Sequence, residues 1–237
     1  MSSANPPFPK GVKAVIFDLD DTLVESTVNY AKFKRLVIDR IASHGEDRGK
    51  YSQNETIVSI LSRYENAIKG RGMPKRDIAD RLAELDRIMD EVELERAEET
   101  VAIKGATEVL DILRRNGVKV GILTRGCEEY ATVALRATSM LDMVDQLECR
   151  NSDTKAKPDP ESYLKLVERL GVGKDETIFV GDHPIDAQCA SNAKVRFVGV
   201  LTGDVPEDVL REAGSVAVFR DVGEMLRWIR TGLSSQS

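Results

Sequence analysis

The sequence is short of several things, and each shortage removes a class of protein. It has only three cysteines, Cys127, Cys149 and Cys189, and no two are spaced as C-x-x-C. That argues against a zinc ribbon or a disulfide framework, and three reduced thiols fit a cytoplasmic protein. No stretch approaches the ~20 apolar residues of a membrane span. The opening "MSSANPPFPKG" lacks the apolar run of a signal peptide. Positive charge is not in excess either. The formal net charge is −6, so neither nucleic acid nor an anionic membrane is expected as a partner. An acidic protein that takes anionic substrates must supply cations locally. Internal repeats are absent, and low complexity is confined to the "LSSQS" tail. What remains is 237 residues, 41% of them hydrophobic, enough for a globular core with a smaller second domain.

Two textures divide the chain. From Thr27 to about Glu99 the apolar residues fall at helical spacing. One set is Tyr30, Phe33, Leu36, Val37 and Ile41. A second is Ile57, Ile60, Leu61, Tyr64 and Ile68, and a third runs from Ile78 through Leu82, Leu85, Ile88 and Met89 to Val92. "SQNE" (Ser52 to Glu55) fits a capping box before the second helix, and Gly70 fits its stop. On either side, short buried strands alternate with amphipathic helices. The strands are "AVIFD", "KVGILT", "TIFVGD", "RFVGVLTG" and "SVAVF"; two of the helices are "TEVLDILRRNG" and "PESYLKLVERLG". This alternation predicts an α/β fold with a doubly wound, mainly parallel Rossmann-like sheet. The expected division is a core of residues 1–24 and 101–237 with a helical insertion at 25–100.

In such sheets ligands bind beyond the carboxyl ends of the strands. The first strand delivers Asp18 and Asp20, then Thr22. The second delivers Thr124. "FVGDHPID" delivers Asp182 and Asp186, and "TKAKPDP" brings Lys155 and Lys157 just before its helix. Pooled carboxylates favour a hard divalent cation, and Mg²⁺ takes oxygen ligands together with a substrate phosphate. A metal is thus the expected reason for a buried strand to end in "DLDD".

The ordered set "DLDDT", "ILT", "KPDP" and "GDHPID" resembles the four motifs of the haloacid dehalogenase-like hydrolase superfamily. "FDLDDTLVES", "IKGATEVLDIL" and "VGVLTG" are most similar to its phosphoglycolate-phosphatase-like branch, in which a helical cap is inserted after the first motif. The resemblance implies an enzyme, a phosphoric monoester hydrolase. It implies Asp18 as nucleophile forming an aspartyl phosphate and Asp20 as general acid/base. Thr124 and Lys157 are implied as phosphate-binding groups, with Arg125 as a further candidate. Asp18 and Asp182 are implied as Mg²⁺ ligands, together with the backbone carbonyl of Asp20, and Asp186 as the motif's second acid, which holds the metal directly or orients its water. The helical block is expected to act as a mobile lid, closing over a small phosphorylated metabolite such as 2-phosphoglycolate. Dehalogenases of the superfamily lack an acid at the position of Asp20, because no leaving alkoxide needs a proton. The rivals are a sugar phosphomutase of the same fold and a catalytically silent binding protein. Monomer and homodimer both fit. Asp21 stands where the family commonly has glycine and reads as a solvated helix-start acid. His183 reads as a hydrogen-bonding neighbour of Asp182, and His44, in "SHGEDRG", as an exposed loop residue.

Overall fold

A computed structural model describes residues 5–234. In chain order, strands β1 (Ala14–Phe17) and β2 (Val24–Glu25) precede three helices, α1 (Tyr30–Ser43), α2 (Ile57–Gly70) and α3 (Lys75–Leu94). Then come β3 (Val101–Ala102), α4 (Ala106–Arg115), β4 (Lys119–Leu123), α5 (Glu128–Ala137) and β5 (Gln146–Glu148). The chain continues through α6 (Pro160–Leu170), β6 (Thr177–Gly181), α7 (Pro184–Ala193), β7 (Arg196–Val200), α8 (Glu207–Glu212), β8 (Ala217–Phe219) and α9 (Met225–Ser234). Contacts divide it into two units, one of Met1–Ser26 with Glu98–Ser237 and one of Thr27–Ala97.

The first unit is built on a six-stranded sheet of order β5-β4-β1-β6-β7-β8, with every pair parallel. The α/β expectation is borne out. The order reverses around β1, whose neighbours β4 and β6 follow it by long crossovers. Crevices for ligands form at such a switch point. Alternation along β1 sends Ala14 and Ile16 into a cluster with Leu166, Ala187, Ala190 and Phe197, and so buries Val15 and Phe17 on the opposite face. Helix α6 packs on β4 and β5, and α4 packs on β4 and α9. Both faces are therefore covered, which is why the strands read as continuous apolar runs.

The strand β5 was not legible in advance. "QLE" is three residues at an edge, and a ladder rather than an apolar run defines it. The pair β2–β3 was also missed. It is antiparallel, two residues long, and sets Glu25 beside Val101, so it ties together the two points where the chain leaves and re-enters this unit.

The second unit has its own apolar core. Phe33, Val37, Ile38 and Ile41 of α1, Ile60, Tyr64 and Ile68 of α2, and Ile78, Leu85, Met89 and Val92 of α3 are buried together. Two local expectations fail here, the helix cap and His44. Helix α2 starts at Ile57, and Thr56 is its cap, accepting from the Ser59 N–H at 3.2 Å. Glu55 does reach back to the Ser52 N–H at 2.9 Å, but this closes a turn ahead of the helix. Gly70 is the last residue of the helix, as expected of a stop, and Gly72, at φ +74°, makes the left-handed exit that follows. His44 is not an exposed loop residue. Its Nδ1 lies 2.6 Å from the Tyr64 hydroxyl and its Nε2 2.8 Å from the Glu84 carboxylate, so it bridges α2 and α3. The polar sequence around it concealed this, because its two partners arrive from later helices.

Candidate active site

The site is assembled where β1, β4 and β6 end. The Asp18 N–H continues the parallel ladder to the Val180 carbonyl at 2.8 Å, which places Asp18 directly beyond β1. Its Oδ1 accepts from the Lys157 ammonium at 2.7 Å, and the same ammonium donates to Asp186 Oδ1 at 2.7 Å. Lys157 is 3% exposed, so these are desolvated, charge-assisted bonds of the strong kind. It also stands 5.6 Å from the centroid of the Phe179 ring. Lys155, two residues earlier, points to solvent and pairs loosely with Asp159 and Glu161.

Asp182 follows β6 and accepts the Thr22 hydroxyl at 3.0 Å. Asp186, in the first turn of α7, uses its second oxygen to accept the His183 N–H at 3.2 Å. His183 is the helix cap, its Nδ1 accepting from the Ile185 N–H at 3.2 Å. Two glycines make room for these acids. A Cβ on Gly181 would fall 2.6 Å from Asp186 Oδ2, and one on Gly203 would fall 2.1 Å from Asp182 Oδ2. Neither glycine was singled out from sequence, since a space requirement is invisible there.

One carboxylate oxygen from each of Asp18, Asp182 and Asp186 lies within 4.8 Å of the others. The carboxylate of Asp20 lies outside this group; it accepts a hydrogen bond from the Tyr130 hydroxyl. Burial, chiefly, lifts the Asp18 carboxyl to about 7; Lys157 opposes this, while Asp186 and Asp20 add to it. Burial again, then repulsion from Asp18 and Asp186, lifts Asp182 to about 8. For Lys157, burial works against the charged form, but attraction from Asp18 and Asp186 outweighs it and the net shift is upward. One buried ammonium thus offsets only part of the clustered negative charge. The donor set is all oxygen, anionic and hard. It fits Mg²⁺ and suits a soft thiophilic ion poorly.

Thr124 follows β4 and is 3% exposed, its N–H donating to the Glu148 carbonyl at 3.0 Å and its Oγ1 accepting from the Gly126 N–H at 3.0 Å. Arg125 is half-buried; burial chiefly holds the His183 imidazole below its usual pKa, Asp186 opposes this, and the charges of Lys157 and, least, Arg125 add to it. The expectation for Asp21 is corrected. It is no helix-start acid but a turn residue at φ +54°, its carboxylate accepting from the Ser26 N–H at 3.1 Å and its carbonyl from the Thr202 hydroxyl. A left-handed φ explains why glycine suits this position, and aspartate is among the few residues that tolerate it.

A family model described as haloacid dehalogenase-like hydrolase matches residues 15–200. The chain belongs to that family. Phosphoglycolate phosphatase of Rhodospirillum rubrum is 29% identical over 222 residues, covering 92% of this chain and 90% of the relative. Pyrophosphatase PpaX of Halalkalibacterium halodurans is 27% identical over 233 residues, covering 91% and 95%. A crystal structure of a hydrolase from Pseudomonas syringae superposes with a TM-score of 0.64 at 24% identity, covering 92% of this chain and 98% of that one. The haloacid dehalogenase-like chain described here is a hydrolase of the phosphatase type. Among its described residues no helix is long and apolar enough to cross a membrane.

Proposed function

We propose that this enzyme is a Mg²⁺-dependent phosphatase that cleaves a small phosphorylated metabolite through an aspartyl phosphate on Asp18. The observation that carries the reading is the convergence of Asp18, Asp182 and Asp186 around the buried Lys157 at the ends of β1 and β6. Asp18, Asp182 and Asp186, with the backbone carbonyl of Asp20, would hold the metal. Bound there, Mg²⁺ supplies the positive charge that lets an anionic phosphate approach an anionic nucleophile. In the first step an Asp18 oxygen attacks phosphorus, the ester P–O bond breaks, and Asp20 gives its proton to the leaving oxygen. In the second, Asp20 takes a proton from water as that water attacks phosphorus, and inorganic phosphate leaves Asp18. Lys157 and Thr124 bind the phosphoryl oxygens, with Arg125 beside them. A phosphate-release assay on p-nitrophenyl phosphate and phosphorylated metabolites, with Mg²⁺ and then with chelator, tests the reading. Release should require the metal, and full activity after exhaustive chelation refutes it.

The favoured substrate is 2-phosphoglycolate or a similarly short phosphorylated acid, supported by the relative named for that activity. Pyrophosphate belongs in the same screen, because a second relative is named for it. A substrate carboxylate needs a cation beyond those already serving phosphate. The helical unit, proposed here as the specificity cap, is rich in them. Lys32, Arg63, Lys69 and Arg71 are engaged with Glu95, Glu55, Glu65 and Glu46, and Lys34 with the Gln53 carbonyl. Arg35, Lys75 and Arg76 are the candidates to substitute first. The cytoplasm remains the proposed compartment, in keeping with the three buried cysteines.

A further inference from the structure

We infer that Tyr130 is a positioning residue for the general acid/base, acting through Asp20. The inference rests on the role proposed above for Asp20. Tyr130 lies in the first turn of α5, 110 positions from Asp20 in sequence, and is fully buried. Its hydroxyl donates to Asp20 Oδ1. A buried phenol needs a polar partner, and a carboxylate is a strong one.

The seat of this ring is built into the turn that carries Thr124. A Cβ on Gly126 would fall 2.7 Å from Tyr130 Cδ1, so any larger residue at 126 displaces the ring. The Gly126 N–H is held by Thr124 Oγ1 at 3.0 Å. At the other end the Tyr130 N–H donates to the Cys127 sulfur at 3.4 Å, Cys127 being the cap of α5. The end of β4, the start of α5 and the loop after β1 are thereby locked in one arrangement. The backbone clearance at Gly126 sets the ring, and the ring sets Asp20.

The chemical consequence concerns which oxygen carries the proton. With Oδ1 accepting the phenol O–H, the transferable proton resides on Oδ2. When an Asp18 oxygen forms its bond to phosphorus and the ester bond breaks, the Oδ2 proton passes to the leaving oxygen and gives the free alcohol. Asp20 is left as carboxylate, stabilised by Tyr130. In the second half the proton of the attacking water returns to Oδ2 as the bond from Asp18 to phosphorus breaks and phosphate departs. Tyr130 keeps its own proton throughout. General acid assistance matters most when the leaving group is a poor one. An alkoxide needs the proton, whereas p-nitrophenolate does not.

The test compares kcat/KM, which reports the first step, for an alkyl phosphate and for p-nitrophenyl phosphate in the same preparation of Tyr130→Phe. The expected result is a fall of about tenfold or more on the alkyl substrate with a change of no more than about threefold on the aryl one, and unaltered inhibition by inorganic phosphate. Equal losses on both substrates, including complete loss through misfolding, reduce Tyr130 to a packing residue and overturn the inference. So does an unchanged ratio. Asp20→Asn is measured alongside. It should show the same leaving-group bias more strongly, and adding Tyr130→Phe to it should change the ratio no further. If Asp20→Asn itself shows no bias, the acid/base reading of Asp20 fails first. If Asp20→Asn shows it and Tyr130→Phe does not, only the role of Tyr130 fails.

Discussion

Without metal, the protein should become less stable as pH rises from about 5 to about 8, the reverse of ordinary acid denaturation. Asp18 and Asp182 start from an ordinary value of 3.8 and are lifted in the fold to about 7 and about 8. Between those limits the folded state binds more protons than the unfolded one, so stability falls as pH increases. Below the unfolded value the two acids carry no penalty; above the folded values they carry all of it. A shift of three units corresponds to ~4 kcal/mol. The two groups repel each other, so their shifts do not simply add, and the pair titrates as a unit. The expected loss is on the order of 5 kcal/mol, a large part of a typical domain's 5–15 kcal/mol. Lys157 does not blur the window. Its pKa is raised, so its contribution is complete below its unfolded value and is lost only at still higher pH. His183 opposes weakly, since its lowered pKa makes its protonation destabilising, and that effect is gone by pH 6.5. The surface acids with lowered pKa, Glu55, Glu84, Glu168, Asp175 and Glu176, oppose the trend only at the foot of the window, since their contribution is complete about a unit above the ordinary values of 4.5 and 3.8. Mg²⁺, held as proposed, would bind the ionised acids and should therefore stabilise more at pH 8 than at pH 5.5, where protons compete with it. Denaturant unfolding at pH 5.5, 7 and 8.5, with chelator and with Mg²⁺, measures both effects. A metal-free stability that is flat or rising across the range, or a Mg²⁺ increment independent of pH, would refute the reasoning.

Three other perturbations probe separate parts of the molecule. Asp18→Asn should abolish both turnover and the phosphoenzyme trapped with labelled substrate; label retained in that variant, or found on serine, cysteine or histidine, rules out the nucleophile. Gly203→Ala puts a methyl group where Asp182 Oδ2 now lies, 2.1 Å from the ideal Cβ, so the Mg²⁺ concentration for half-maximal activity should rise about tenfold or more with the fold intact; wild-type metal dependence contradicts this. His44→Ala removes the bridge between the Tyr64 hydroxyl and Glu84 and should cost the helical unit roughly 1–3 kcal/mol, read by denaturant unfolding; a change under about 0.5 kcal/mol shows that the bridge contributes nothing measurable.

The parallel sheet was legible in the sequence because strands buried on both faces must be apolar throughout, and runs such as "TIFVG" have few other uses. The helical texture of residues 27–97 was legible for a similar reason, since each helix must turn an apolar stripe toward a shared core. The acids at the strand ends could be picked out because a parallel sheet directs the carboxyl ends of its strands to one edge. What the sequence could not specify was contact between residues distant along the chain. Tyr130 reaches Asp20, in the loop after β1, from α5, and His44, at the end of α1, finds Tyr64 and Glu84 on α2 and α3. Nothing local marks these residues, because a hydrogen bond needs only the final approach of two groups. The spaces at Gly181, Gly203 and Gly126 are equally silent, being defined by the side chains that fill them. The strand β5 exists through its ladder with β4, and Asp21 takes its left-handed φ through the turn that holds it. Local periodicity determined which elements form. Tertiary structure decided which oxygen meets which proton, because that depends on distances no spacing along the chain can encode.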